Sequence, residues 1–310
     1  MANLGISHMQ QAPASNNSLY LDLMKKCLLA SIYEENAWYV LGSLEGNHAH
    51  SLKEWAKSRL VKLAWTKRFL IVKPGRFDAD KSNWGLFSYT MVGLARLNNI
   101  QTCIEDVLRN DVEGDLIETG VWRGGATIFM RAVLKAHGVM DRIVWVADSF
   151  EGLPALTEKD AIYRDDTSVD VASLNEGGPM RLALAVTLDR VKENFTKFDL
   201  LDNQIRFLKG WFRDTLPAAP IKKLSILRLD GDMYQSTMDA LNALYSKVSA
   251  GGYVIVDDYN CWPHCKQAVD DFRKAHAICD EITKIDEHAV FWKVSEARET
   301  RSGDGANGAG

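Results

Sequence analysis

Two apolar runs in this chain end in acid. Leu227-Arg228-Leu229 leads into Asp230-Gly231-Asp232, and Gly252-Tyr253-Val254-Ile255-Val256 leads into Asp257-Asp258. Carboxylates gathered at the ends of neighbouring strands repel one another, and they persist where a cation or a reaction needs them. Asp230, Asp257 and Asp258 offer three oxygen ligands, which with waters and substrate oxygens suit an octahedral Mg²⁺ site. The trio contains no Cys or His, which disfavours metals that prefer sulfur or imidazole. The competing reading is that each acid caps its own turn, since Asp-Gly-Asp is also a turn signal. Asp232 can face a substrate while Asp230 holds the metal, and is the candidate base. A carboxylate alone is a poor base for an alcohol. Its pKa of about 3.9 stands against about 15.7 for water, roughly 12 units, or on the order of 16 kcal/mol. Metal coordination can supply several kcal/mol of that, so metal and base are complementary.

A second constellation lies upstream. Asp115-Leu116-Ile117-Glu118 runs into Thr119-Gly120-Val121-Trp122-Arg123-Gly124-Gly125. The Gly-x-x-x-Gly-Gly spacing lets the backbone pass close to a ligand, but differs from the Gly-x-Gly-x-x-Gly that seats a dinucleotide pyrophosphate. An acid at Glu118 also disfavours a pyrophosphate and suits an ammonium or sulfonium group. S-adenosylmethionine carries both. Asp148, 30 residues after Glu118 (148 − 118), ends the next apolar run and can accept from ribose hydroxyls or cap its own turn. Trp211, after a third run, is placed either on an adenine face or in the core. The candidate cofactor contacts are Glu118, Thr119, Gly120, Trp122, Gly124, Asp148, Ser149 and Trp211.

Alternating elements must position these residues. Strands are predicted at Leu116–Glu118, Ile143–Ala147, Ile205–Leu208, Leu224–Leu229 and Tyr253–Val256, with helices at Ala126–Ala136, Leu182–Phe195 and Met233–Val248. Nearly continuous apolar strands alternating with helices mean a parallel sheet covered on both faces. Glu281–Ile285 and Ala289–Val294 have hairpin spacing. The fold class is therefore α/β, a Rossmann-like class I methyltransferase sheet closed by an antiparallel hairpin, by fold-level analogy. The expected organisation is a flexible tail (1–17), an N-terminal helical or lid segment (18–110), the core (111–295) and a disordered tail (296–310). In the N-terminal segment Leu21, Met24, Leu28 and Ile32 make one helical stripe. Ser51-Leu52-Lys53-Glu54 reads as a capping box opening a basic amphipathic helix, and Met91–Leu97 and Cys103–Leu108 read as two short helical pieces.

The bulk numbers exclude some classes. With 310 residues, 46% of them hydrophobic and 25% charged, the chain can bury a sizeable core. A net charge of −4 argues against a nucleic-acid binder, and no run of about 18 apolar residues argues for a membrane span. Five cysteines, an odd number, point to reduced thiols and a cytoplasmic location. Cys261, His264 and Cys265 lack a clear fourth zinc partner, and His288 reads as a turn residue.

These motifs resemble the macrocin O-methyltransferase (TylF-like) family, which includes sugar methyltransferases of macrolide and aminocoumarin antibiotic biosynthesis. The resemblance rests on Glu118–Thr127, Trp145–Pro154, Asp202–Pro217, Leu227–Asp239 and Gly251–Asp271, with further similarity at Leu19–Leu28 and Tyr89–Leu94. It implies methyl transfer from S-adenosylmethionine to a (deoxy)sugar hydroxyl of a glycoside, with Mg²⁺ bound by two vicinal hydroxyls of the acceptor. It implies Asp230, Asp257 and Asp258 at the metal, Asp232 as base, and Glu118, Gly120, Asp148 and Ser149 at the cofactor. It also implies a homo-oligomer, a closing segment at Trp84–Met91 and a substrate loop at Tyr163–Asp166. Gly46–Arg76 departs from the family pattern, as does Ser88, where a histidine is often seen. The alternatives are a catechol-type methyltransferase, a nicotinamide oxidoreductase, an Asp-rich metal hydrolase and a non-catalytic binding module.

Overall fold

The computed structural model describes residues 15–33, 38–40, 72–74, 87–154 and 183–295. The capping box at Ser51, nearly all of the Gly46–Arg76 segment, the Tyr163–Asp166 loop, most of the first tail and the whole of the last lie outside these residues. So does the beginning of the Trp84–Met91 stretch.

Ser15 caps the first helix, α1 (Asn16–Leu29), by accepting from the Ser18 amide. Leu21, Met24 and Leu28 form the expected buried stripe, but Ile32 does not join it. The helix stops at Ala30, which turns left-handed at φ +52°, and Ile32 is left 52% exposed. Two short antiparallel strands, β1 (Trp38–Val40) and β2 (Val72–Pro74), interrupt what the sequence suggested was a wholly helical appendage. The two helical pieces expected around residue 100 are one helix, α2 (Leu94–Arg109). Leu97, Ile100, Cys103, Ile104 and Val107 bury one continuous stripe, with the intervening polar residues on the other side.

From there strand and helix alternate: β3 (Asp115–Thr119), α3 (Gly125–Ala136), β4 (Val144–Asp148), α4 (Leu188–Lys197), β5 (Ile205–Lys209), the single turn α5 (Phe212–Thr215), β6 (Leu224–Leu229), α6 (Tyr234–Leu244), β7 (Val248–Val256), α7 (Pro263–Ala275), β8 (Thr283–Lys284) and β9 (Val290–Lys293). Helix α4 starts later than predicted because Thr187 caps it, accepting from the Arg190 amide. Helix α6 ends at Leu244, so Val248 belongs to β7, which opens five residues before the predicted Tyr253. A register irregularity against β6 breaks the apolar run between them.

The strand order is β5-β4-β3-β6-β7-β9-β8, with β3 to β7 parallel and β9 antiparallel to both β7 and β8. This is the class I methyltransferase sheet that the alternation predicted. Residues alternate between faces along each strand. Leu116 and Val146 pack with α1, α2, α3 and α4, whereas Ile117 and Ala147 pack with α6 and α7. The chain runs outward through β4 and β5, then returns to place β6 on the other side of β3. That reversal is a topological switch point, where α/β sheets bind ligands beyond the carboxyl ends of the strands.

Candidate active site

The cavity lies at the switch point and encloses about 640 Å³. Its wall collects the ends of four parallel strands: Glu118 and Gly120 from β3, Asp148 from β4, Asp230 and Asp232 after β6, and Asp257 and Asp258 after β7. Gly120 explains how closely the strand ends meet. Its φ is +90°, and a Cβ there would sit 1.8 Å from the Asp230 carbonyl oxygen, so only glycine lets the turn after β3 lie against the end of β6.

Asp230, Asp257 and Asp258 each present an oxygen within 4.8 Å of the others. Among the described residues this is the one group of three or more such side chains that could hold a metal, so no zinc cluster forms around Cys261, His264 and Cys265. The carboxylate trio fits a hard divalent cation. Asp258 adds a specific sign: its Oδ2 is buried and accepts no hydrogen bond among the described residues. Burial, then the charges of Asp232, Asp230 and Asp257, push the Asp258 carboxyl well above its ordinary range. Burial and the neighbouring Asp257 raise Asp230 as well, against the pull of Arg228. Asp232 stands beside them at φ +56°. Burial first, then the charge of Asp230, lift it to about 7.

Two arginines that the motifs did not point to hold this cluster together. Arg228 on β6 is fully buried. Its Nη1 donates to Glu118 Oε1 and, at 2.7 Å, to Asp230 Oδ2, and its Nη2 donates to Asp257 Oδ1. Arg96 on α2 donates from Nη1 to Asp257 Oδ2 and from Nε to Asp286 Oδ2 at 2.6 Å. Burial is the largest single influence on the Arg96 guanidinium and opposes its charge, but Asp257, Asp286 and Asp258 together outweigh it and raise the group, so it stays charged. Glu118, Asp230, Asp232, Asp257 and Asp258 are thus five carboxylates facing two guanidinium groups, one of them shared with Asp286. Ionised together they would be in negative excess, which is why these carboxyls hold protons more tightly than usual and what a bound cation would relieve. Arg228 had a visible signal: a charge inside a strand that is otherwise apolar must find partners.

At the end of β3, Glu118 Oε2 is buried and accepts no hydrogen bond among the described residues, a vacant acceptor suited to an ammonium. Burial lifts its carboxyl to about 8; Arg228 opposes the rise while Asp230 and Asp257 add to it. Asp148 lines the cavity, and its oxygens already accept from the Val121 and Phe150 amides, each at 2.7 Å. It therefore caps the turns, and its remaining lone pairs are what a ribose could use. Burial raises its carboxyl, with those amides opposing. Trp122 also lines the cavity, its indole donating to the Ala183 carbonyl at 3.2 Å. Ser149 Oγ is on the wall while donating to the Gly152 carbonyl at 2.8 Å. Trp211 lines the cavity, as do Leu153, Leu184 and Phe212, and is not among the buried core residues.

Thr119 and Gly124 are not on the wall. Thr119 turns its hydroxyl to the Arg228 carbonyl at 3.4 Å, and Gly124 packs against Val191 and Phe195. His288, read as a simple turn residue, reaches the wall next to Cys261 and Trp262. The described part of the expected closing segment is tied to the cofactor turn. Gly125 N donates to the Tyr89 carbonyl at 2.9 Å and Arg123 donates to the Ser88 carbonyl at 2.6 Å, while Thr90, Met91 and Val92 line the cavity. A Cβ on Gly125 would lie 2.4 Å from the Tyr89 oxygen.

The chain is similar to known proteins. Residues 17–294 match the macrocin O-methyltransferase (TylF) family. The chain is 47% identical over 279 residues to the demethyldecarbamoylnovobiocin O-methyltransferase of Streptomyces niveus, covering 90% of this chain and 94% of that one. It is 41% identical over 284 residues to the mycinamicin III 3''-O-methyltransferase of Micromonospora griseorubida, covering 92% and 99%. Among solved structures it is similar to the O-methyltransferase NovP, with a TM-score of 0.71 and 43% identity over 90% of this chain and all of that one.

Proposed function

The chain belongs to the macrocin O-methyltransferase family, and from that premise we propose that it transfers the methyl group of S-adenosylmethionine to a sugar hydroxyl of a glycosylated antibiotic, aided by Mg²⁺ and an aspartate base. Its activity class is S-adenosylmethionine-dependent O-methyltransferase. The sugar acceptor is supported by the relatives named for novobiocin and mycinamicin substrates. The observation that carries the reading is the meeting, in one cavity, of a carboxylate trio within 4.8 Å and the vacant Oε2 of Glu118.

Each group has a role that its surroundings support. Glu118 is suited to hold the cofactor's ammonium, Asp148 the ribose, and Trp211 with Phe212 an aromatic face. The bound cofactor supplies an electrophilic methyl group. Asp230, Asp257 and Asp258 would hold Mg²⁺, which supplies Lewis-acid polarisation of an acceptor hydroxyl. Asp232 accepts the hydroxyl proton on its carboxylate. Its raised proton affinity brings it nearer the range in which a general base works at neutral pH. Holding donor and acceptor in line contributes a further roughly 7–11 kcal/mol through orientation. Self-association belongs to the same reading. It is supported by the exposed Leu19, Leu23, Ile32 and Tyr33 at the N-terminal helix, and a monomeric mass in sedimentation would remove it.

The test is turnover of a deoxysugar glycoside and of a catechol, each with Mg²⁺ and after chelation. Methylation of the glycoside, lost on chelation and restored by Mg²⁺, is expected. Full activity in chelator would end the metal reading, and preference for the catechol would end the sugar one. Asp232→Asn should lower kcat by about 10²–10⁴. Near-normal turnover by that variant would remove the base assignment.

A further inference from the structure

We propose that Arg228 is a positioning residue that links the cofactor site to the divalent-ion site, so that each ligand strengthens the binding of the other. The inference rests on the preceding reading of what the two sites bind, and concerns how they communicate.

One guanidinium touches three carboxylates from three adjacent strands. Nη1 is divided between Glu118 of β3 and Asp230 beyond β6, and Nη2 reaches Asp257 beyond β7. Glu118 is the cofactor-side acid on the cavity wall, and its other oxygen is buried and accepts no hydrogen bond among the described residues. Asp230 and Asp257 belong to the ion-binding trio. Arg228 is fully buried, so no water can replace its hydrogen bonds. Arg96 grips Asp257 from the other side, but its second ion pair goes to Asp286, away from Glu118 and Asp230. Among the described residues Arg228 is thus the cation that pairs with acids of both sites.

This arrangement fixes the sign of the linkage. With no divalent ion, Glu118 and Asp230 compete for the same Nη1. An ion held by Asp230 and Asp257 draws charge from those oxygens and leaves Nη1 to Glu118, which fixes that carboxyl at the cavity wall. In the other direction, an ammonium on Glu118 orders the guanidinium and, through it, Asp230 and Asp257. Whichever ligand arrives first orders the frame for the second, which is positive coupling and must be reciprocal. Repulsion between the divalent ion and the cofactor's ammonium opposes this, and it is what remains when Arg228 is removed. Arg228 therefore sets the balance between an enhancing and a neutral or antagonistic pair of sites.

The experiment titrates S-adenosylhomocysteine into the full chain by calorimetry, once with MgCl₂ and once with chelator. Wild type should bind it at least about fivefold more tightly with Mg²⁺, the lower end of ordinary allosteric couplings. Arg228→Met should show a ratio of one or below. A purely structural role would weaken binding under both conditions and leave the ratio unchanged, which would overturn the proposal. Arg228→Lys serves if the methionine variant does not fold. It keeps the charge but cannot present a planar fork to three carboxylates, so its ratio should also fall towards one, and a full wild-type ratio would overturn the proposal. Wild type that binds both ligands without coupling refutes the linkage alone. Wild type that binds S-adenosylhomocysteine under neither condition refutes the functional reading beneath it.

Discussion

Asp257 and Asp258 are neighbours in sequence with opposite surroundings, and that difference separates two roles a pair of ion ligands can have. Asp257 spends both oxygens on buried guanidinium groups, Oδ1 on Arg228 and Oδ2 on Arg96. Asp258 leaves Oδ2 without a partner among the described residues and is crowded by three other acids. In the ion-free protein the fold therefore gains from the two buried ion pairs of Asp257 and is penalised by charge on Asp258. Breaking a buried ion pair from one side costs about 3–5 kcal/mol, because the remaining charge is stranded. Asp257→Asn is accordingly expected to lose about that much stability as well as its response to Mg²⁺. Asp258→Asn should lose the Mg²⁺ response while unfolding at the same or a higher urea concentration than wild type. Urea titrations in chelator measure both, and equal destabilisation by the two variants would show that this assignment of partners is wrong.

Elements are legible in the sequence where a regular pattern has no competing signal. The strands next to the site end where their acids stand, so the apolar runs alone place the Asp230 and Asp257-Asp258 ends on adjacent strands. The departures have local causes. Ile32 continues the α1 stripe by spacing, but a left-handed Ala30 ends the helix first. Asn98, Asn99, Gln101 and Thr102 divide α2 in the sequence, yet they lie away from its buried stripe. Arg228 stands out as a charge in a strand buried at every position, but the strand alone does not say what it pairs with. Its partners at 118 and 257 become visible only when the strands are laid side by side. Arg131 on α3 belongs to the same class of long-range contact: its guanidinium grips Asp202, just before β5, through Nε at 3.0 and 3.1 Å and Nη2 at 2.7 Å. Burial raises the Asp202 carboxyl, but the Arg131 hydrogen bonds and the Gln204 amide outweigh it and the net shift is downward. A depressed folded-state pKa stabilises above the unfolded value of about 3.9, and that contribution is lost as pH falls through the lower folded value. Asp202→Asn should therefore be less stable than wild type at pH 7 by about 1.5–3 kcal/mol, the worth of hydrogen bonds to a charged group. The gap should close only below about pH 4, and a gap that stayed constant into acid would rule out the carboxylate as its source.

At the scale of the whole molecule, the switch point divides the sheet into two wings that the ligands would rejoin. The proposed cofactor contacts come from β3, β4 and the segment after β5, and the ion ligands from the ends of β6 and β7 on the other side. Thr90, Met91 and Val92 close the same cavity from the N-terminal part, which reaches the core through α1 and α2. Among the described residues no helix is long and apolar enough to cross a membrane. A ligand that binds only the folded chain at 100 times its Kd adds about 2.7 kcal/mol. At about 2 °C per kcal/mol for a large domain, this corresponds to a rise in Tm of about 5 °C. S-adenosylhomocysteine is expected to give such a rise, and NAD none, because the glycine turn lacks the dinucleotide spacing. If Arg228 links the wings, adding S-adenosylhomocysteine and Mg²⁺ together should raise Tm by more than the sum of the two separate shifts. Because the ligands touch both wings, the rise should belong to one cooperative transition. Two transitions, only one of them moved by S-adenosylhomocysteine, would mean that the wings unfold independently and that the cavity does not join them.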